Sequence, residues 1–202
     1  MPKNILVYTD GEVIGDGIIK LPFVIALKKA FPDAHLTWLC GSDTVYAGSL
    51  KDLASPVIDE IIKLPTPVLR WRDVFNAPVT GDRYFDIVID TQAKFRRSVW
   101  LRRIPHGIFV SASARYLLST VRPTKNQSVD GSIFEGLILL ASLAAGRTLQ
   151  AEKLKLPHPQ WQEAAEKLLP AGPVYIGFIP GAGQDFKRWP LERFLALAKQ
   201  QV

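Results

Sequence analysis

The chain has 202 residues, is 48% hydrophobic and 22% charged, and carries a net charge of +6 with a pI near 9.5. That balance excludes a disordered or acidic solvating chain. Its basic excess favours anionic partners such as nucleotide phosphates, phosphorylated glycans, nucleic acid or an acidic membrane face, with an inert basic surface as the plain alternative. A single cysteine, Cys40, excludes an internal disulfide, and the longest apolar run, residues 133–145, is broken by Glu135 and Ser142 and is too short to span a bilayer.

The N-terminus enters a strand pattern at residues 4–9 directly, without the charged and apolar regions of a secretory signal. A loop at 10–16 follows, and then a helix over 23–30, with Pro22 either in its first turn or kinking a helix that begins near Asp16. Residues 35–40 read as a second strand ending in Cys40, which belongs in the core; 41–43 form a loop and N-cap, a weak helix runs to about Leu53, and a strand covers 57–64. Residues 65–83, rich in Pro, Arg and Trp, have no clear pattern. A strong strand at 84–90 leads to a helix over 91–104 carrying Lys94, Arg96, Arg97, Arg102 and Arg103, then a short strand at 107–110. A polar, basic loop covers 111–128, with Arg115 to Lys125 as further cations, and a buried helix covers 129–145. After a Pro-rich connection come a helix over 161–169 and a strand over 174–179. Residues 180–187, Pro-Gly-Ala-Gly-Gln-Asp-Phe-Lys, form a loop, and Pro190 opens the last helix.

Strands alternating with helices argue for a parallel α/β sheet covered on both faces, with ligands gathered where the loops after strands 4–9, 84–90 and 174–179 emerge. The expected division is a domain at 1–156, a connection at 157–173, and the first strand and helix of a second domain at 174–202. That last piece is too small to bury its own core, which points to a second domain cut short.

Two stretches carry the candidate chemistry. Gly11-Glu-Val-Ile-Gly15-Asp16 is neither G-x-G-x-x-G nor a P-loop; Asp16 is a candidate to take a proton from a hydroxyl, or simply a helix cap. The loop at 180–187, a strand–helix turn with a lysine, is a candidate anion site or an ordinary turn with a solvated Lys187. Asp90 and Gln92 sit where a ligand hydroxyl would arrive, with Arg96, Arg97 and Arg103 to steer an anion, or they form a cap beside a solvated basic face. His35, His106 and His158 are scattered and have no metal-ligand spacing, no G-x-S-x-G elbow occurs, and the tryptophans sit in separate elements as packing residues.

Together, Gly11-x-x-x-Gly15-Asp16 with Pro22, Ala30-Phe-Pro32, Phe85-Asp-Ile-Val-Ile-Asp90-x-Gln92, and Pro180-Gly-Ala with Lys187-Arg-Trp-Pro190 resemble, in order, the family 9 glycosyltransferases, the heptosyltransferases of lipopolysaccharide core assembly. The resemblance implies a GT-B fold with a Rossmann-like N-terminal acceptor domain. It implies an inverting transfer of a sugar, heptose by family default, from a nucleotide-diphosphate donor, ADP-linked by default, to a phosphorylated lipopolysaccharide core acceptor. Asp16 is then the general base and Lys187 the cation that neutralises the leaving diphosphate. Gly15, Gly181, Ala182, Gly183 and Lys187 line the donor phosphates, and Asp90, Gln92, Arg96, Arg97 and Arg103 hold the acceptor. No metal and no cofactor beyond the nucleotide sugar are implied, and the location is cytoplasmic, against the inner face of the membrane. With most donor contacts expected beyond Val202, this stretch alone is expected to be inactive. The family often has Gly after the Gln of Asp-x-Gln, where Ala93 stands here. A non-catalytic nucleotide- or glycan-binding module of the same fold is the alternative. A Rossmann oxidoreductase is disfavoured by the missing glycine fingerprint.

Overall fold

The structure is a computed structural model that describes residues 2–65, 70–124, 131–151, 159–169, 172, 175–182 and 185–200. The chain divides into two compact units, Met1–Leu154 and Lys155–Val202.

In the first unit the described strands are β1 (Asn4–Thr9), β2 (His35–Cys40), β3 (Glu60–Lys63), β4 (Phe85–Asp90) and β5 (His106–Ser111). They form one fully parallel sheet in the order β3-β2-β1-β4-β5. Strands buried on both faces read as continuous apolar runs, and β1 shows why: Ile5 and Val7 join one core cluster, Leu6 and Tyr8 the other. The first cluster packs under α1 (Ile14–Ala30) and, beyond the short helix α2 (Lys51–Ala54), under α4 (Ile133–Ala145). The second packs under α3 (Phe95–Leu101) and Val74, which belongs to a 3-10 turn at Trp71–Phe75. Helices on both faces and parallel strands make the predicted α/β architecture.

Several expected boundaries move. Of the two alternatives for the first helix, the structure has the one that begins near Asp16: it starts at Ile14 and keeps Pro22 in its buried middle, so the proline does not sit in the first turn. The weak helix before residue 53 is a 3-10 turn at Val45–Ala47, capped by Thr44, followed by α2. The helix expected at 91–104 shortens to Phe95–Leu101, because Ala93 takes a left-handed φ of 53° that no helix continues through. α4 begins at Ile133 with a capping box: Ser132 accepts from Glu135 N, and Glu135 accepts from Ser132 N.

Cys40 is buried and its Sγ donates to the Ile62 carbonyl at 3.3 Å; burial pushes its thiol up to about 11, so it stays an inert core thiol, as its apolar context suggested. At the amino edge of the sheet, three carboxylates clamp neighbouring strands. Asp86 of β4 accepts from Lys3 N (2.7 Å) and Asn4 N (2.8 Å); Asp59, just before β3, accepts from Leu36 N (2.8 Å) and Lys28 Nζ (2.9 Å). Glu60 accepts from Thr37 Oγ1 (2.9 Å) and Arg83. Hydrogen bonds from the Asn4 and Lys3 amides hold Asp86 below the usual carboxylate range. Partial burial pushes Asp59 and Glu60 up, but hydrogen bonds from Leu36 and Lys28, and from Arg83 and Thr37, outweigh it and leave both lowered. A carboxyl whose folded pKa is depressed contributes stability above its unfolded value, near 4, and loses it as pH falls through the folded value. The contribution of these three carboxylates should therefore be flat down to about pH 4 and drop below it. Chemical denaturation from pH 6 to 2.5 checks this, and an Asp86→Asn variant should show a shallower acid slope.

The second unit contains α5 (Pro159–Leu168), a 3-10 turn at Asp185–Lys187, and α6 (Leu191–Lys199), which Pro190 precedes as N-cap residue. The strand expected at 174–179 is not formed over the described residues 175–179. They are exposed, apart from the half-buried Phe178, and have no ladder partner among the described residues, and a strand is defined by its partner. Phe178 instead meets Phe194 of α6 edge-on at 6.3 Å, and Trp189 meets the same ring at 4.9 Å.

Candidate active site

A parallel sheet gathers its loops at the carboxyl ends of its strands, and here those loops enclose a groove of about 410 Å³. Its polar side is made by Asp16 and Lys20 from α1 and by Thr91 and Gln92 from the loop after β4. Its apolar wall is Ala112, Ile133, Leu137 and Leu140, the last three on one side of α4.

Asp16 lies in the first turn of α1, is exposed, and has no hydrogen-bond or ion-pair partner among the described residues. The capping alternative fails: the N-cap residue is Val13, and no side chain caps this helix. The turn is placed by Gly11, whose φ of 126° suits glycine and whose Cβ position would lie 2.2 Å from Ser42 Oγ. Further along, Tyr46 donates to Gly17 O at 2.7 Å, fixing the start of α1 against the turn at Val45–Ala47. Gly15 has open space around it, so a backbone approach there is unobstructed.

Beneath Asp16 is a buried polar network that the sequence did not announce. Lys20 is 8% exposed, and its Nζ donates to Thr9 Oγ1 at 2.7 Å and to Glu12 Oε1 at 3.1 Å. The Glu12 side chain is fully buried and its Oε2 has no hydrogen-bond partner among the described residues. Gln92 Nε2 also reaches Thr9 Oγ1 at 3.5 Å, so one threonine hydroxyl links β1, α1 and the loop after β4. A visible hint was Lys20 itself, a lone cation in the apolar stretch Ile18 to Pro22, eight residues after Glu12.

Asp90 does not enter the groove. It is fully buried, and its carboxylate accepts from Ser98 Oγ (2.6 Å), Ser111 Oγ (2.8 Å) and Gln92 N (2.9 Å). Burial pushes its carboxyl above the usual range, against the pull of those three donors. Its role is to aim the loop that carries Gln92, which corrects the expectation of a direct acceptor contact.

The arginines are also placed differently. α3 packs on the sheet face opposite to α1 and α4 and runs away from the carboxyl rim, as a βαβ crossover must. Arg97 ion-pairs with Asp10, which also takes a hydrogen bond from Tyr8 and from Lys94 at 2.7 Å. Arg103, beyond the far end of α3, donates to the carbonyls of Val74 and Asn76. Arg96 is half-buried and lies outside the groove lining. Of the five expected acceptor residues, only Gln92 lines the groove.

The loop after β5 supplies a wall residue that sequence reasoning missed. Ala114, Arg115 and Tyr116 have φ values of 47°, 54° and 64°, a left-handed turn built without glycine. Such a turn costs about 1–2 kcal/mol per residue, so the surroundings must hold it. Ser119 does so by accepting from Ser111 N (2.8 Å) and donating to Ser111 O (2.7 Å), while Thr120 bonds Phe109 at both its amide and its carbonyl. The buried Tyr116 is thereby delivered to the groove.

Ala93 shares the left-handed conformation and is exposed. Glycine at this position removes the Cβ penalty at some cost in unfolded-state entropy, so Ala93→Gly should stabilise the protein by about 0.5–1 kcal/mol, read as a raised urea midpoint.

In the second unit, Lys187 is exposed, with its ammonium 5.6 Å from the Phe186 ring. Arg188 pairs with Asp185 at 2.9 Å and reaches Ala182 O at 3.3 Å, shaping the turn before α6. Gly181 is exposed and uncrowded, whereas Gly183 lies outside the described residues. No group of three or more His, Cys, Asp or Glu is placed to hold a metal ion among the described residues.

Solved structures share this architecture. The E. coli heptosyltransferase WaaC with ADP-2-deoxy-2-fluoro heptose aligns over 98% of this chain and 65% of its own, with TM-score 0.57 and 18% identity. E. coli ADP-heptose lps heptosyltransferase II aligns over 98% and 61%, with TM-score 0.56 and 19% identity. A family 9 glycosyl transferase from Veillonella parvula DSM 2008 aligns over 97% and 59%, with TM-score 0.54 and 22% identity. The chain thus spans under two thirds of each, and at these identities the likeness establishes the fold, the GT-B type. No curated protein sequence matches the chain. The family profile described as "Glycosyltransferase family 9 (heptosyltransferase)" matches residues 80–201, more than half of the sequence, and the chain belongs to that family.

Proposed function

We propose that the protein transfers a sugar from a nucleoside-diphosphate donor to a hydroxyl of an anionic, lipid-linked saccharide, with Asp16 as the general base. The observation that carries this reading is an unpartnered carboxylate on the polar side of a groove whose other side is apolar. Such a two-sided groove suits a saccharide, which offers hydroxyls at its edges and C–H groups on its ring faces.

In the proposed step the acceptor hydroxyl oxygen attacks the anomeric carbon from the face opposite the diphosphate. Its proton passes to the Asp16 carboxylate, and the bond from the anomeric carbon to the phosphate oxygen breaks. The electron pair leaves with the nucleoside diphosphate, so the anomeric centre inverts. Gln92, held by Thr9 and by the hydrogen bond its backbone N–H donates to Asp90, offers a side-chain amide to orient the acceptor. Lys187 would supply positive charge as the diphosphate leaves. Two neighbouring structures hold ADP or an ADP-heptose analogue, which supports an ADP-linked heptose as the donor to try first.

The test is acceptor-dependent release of nucleoside diphosphate by the intact protein, with product analysis for one added sugar and an inverted anomeric centre. Nucleotide binding with no product under any acceptor would sink the reading in favour of a binding module.

A further inference from the structure

Away from the groove, the layer over α3 exposes aromatic rings that the core does not use. Trp71 is 56% exposed, Phe75 79% and Phe95 45%, and Trp71 and Phe95 touch edge-on at 6.2 Å. Loose surface rings could simply be chance, but here the backbone that carries them is anchored. Val74 is buried between them, Trp100 Nε1 donates to Asn76 O at 3.3 Å, and Arg103 donates to the carbonyls of Val74 and Asn76. The 3-10 turn at Trp71–Phe75 is thus fixed along α3 by the buried Val74, with Trp71 and Phe75 left exposed.

Cations frame these rings. Residues 94–103 contain Lys94, Arg96, Arg97, Arg102 and Arg103 and no acid. Arg70 and Arg72 flank Trp71, and both are exposed. The one acid of the turn, Asp73, is engaged with the turn itself: it accepts from Arg70 N at 2.7 Å and lies 3.7 Å from Arg72 Nε. Asp10 is likewise held by Lys94 and Arg97.

Exposed aromatic rings inside a ring of Arg and Lys match the interface of an anionic bilayer, where rings sit at headgroup depth and cations meet phosphate. No helix among the described residues is long and apolar enough to cross a membrane. We propose that the α3 layer, with Trp71, Phe75 and Phe95 inserted and Arg70 and Arg72 around them, docks the protein on an anionic lipid surface. The proposal deepens the reading of a lipid-linked acceptor but rests on the surface alone.

Vesicle co-sedimentation of the intact protein tests it, and needs no turnover. Binding is expected to vesicles of phosphatidylcholine with phosphatidylglycerol and not to phosphatidylcholine alone, and to weaken with salt. Arg70→Glu/Arg72→Glu should weaken binding by on the order of fivefold per cation removed, and Trp71→Ser/Phe75→Ser should lower it at least as far. Circular dichroism of both variants should match the parent. Turnover on a water-soluble, lipid-free acceptor should be unchanged, so loss of docking and loss of transfer are read separately. Unchanged vesicle binding in the folded ring variant would overturn the proposal. So would equal binding to uncharged vesicles, or a tighter grip on single-stranded oligonucleotide than on anionic vesicles.

Discussion

Lys20→Met should destabilise the protein by about 3–5 kcal/mol, and adding Glu12→Gln should return most of that loss. Lys20 and Glu12 are both buried, and Lys20 supplies the hydrogen bond Glu12 Oε1 receives while Glu12 Oε2 has none. Removing the ammonium alone leaves a buried carboxylate without its cation. Methionine follows the path of the lysine stem, so little packing is lost with the charge. Replacing both partners by neutral residues of similar size removes the uncompensated charge, and such double replacements are often close to neutral. A double-mutant cycle by urea denaturation gives the coupling directly. A single-variant cost under about 1 kcal/mol, or no recovery in the double variant, would show that the pair is neither dry nor coupled. Because the network also ties Gln92 to Thr9, the folded double variant should keep nucleotide binding while its acceptor KM rises.

Long, uninterrupted apolar stretches were readable. The expected strands at 4–9 and 35–40 coincide with β1 and β2, and that at 84–90 begins one residue early, because burial on both faces leaves one unmistakable pattern. Ends set by backbone conformation were not readable. Nothing in the letters Gln92-Ala93-Lys94 announces a left-handed residue that delays α3, and the turn at 114–116 has no glycine to mark it. The stretch at 174–179 has strand composition, but composition does not supply a neighbour. Asp16 and Gln92 both line the groove, as residues that follow β1 and β4 on the rim where topology gathers ligand groups. Asp90 does not: a strand's last residue still faces the core or its neighbours, and here it faces Ser98 and Ser111. Arg96, Arg97 and Arg103 lie outside the groove lining, because a charge run says nothing about which face of the sheet its helix covers. Lys20 escaped because its partners Thr9 and Glu12 are set by burial and not by spacing, and Tyr116 because it is held by strained backbone.

Asp16→Asn should lower kcat by on the order of 10²- to 10⁴-fold while leaving stability within about 0.5 kcal/mol of the parent. The stability half follows from the site: Asp16 is exposed, caps nothing and has no partner among the described residues, so the isosteric amide breaks no contact. The kinetic half follows from the proposed chemistry. An acceptor hydroxyl is a weak nucleophile until its proton is taken, and an amide cannot take it. Nucleotide affinity should be unchanged, because the substitution lies on the acceptor side and removes negative charge. Asp16→Glu should fall between the two, since one added methylene keeps the base but moves it from the attacking oxygen, and misplacement costs rate steeply. Three measurements on the intact protein decide the matter: kcat with acceptor in excess, nucleotide affinity by calorimetry, and the urea midpoint. If Asp16→Asn keeps more than about a tenth of kcat, the proton goes elsewhere, and Asp16 is a binding residue rather than the base. If the rate loss comes with a matching loss of stability, the carboxylate supports the fold of the first turn, and the groove must hold its base in another group.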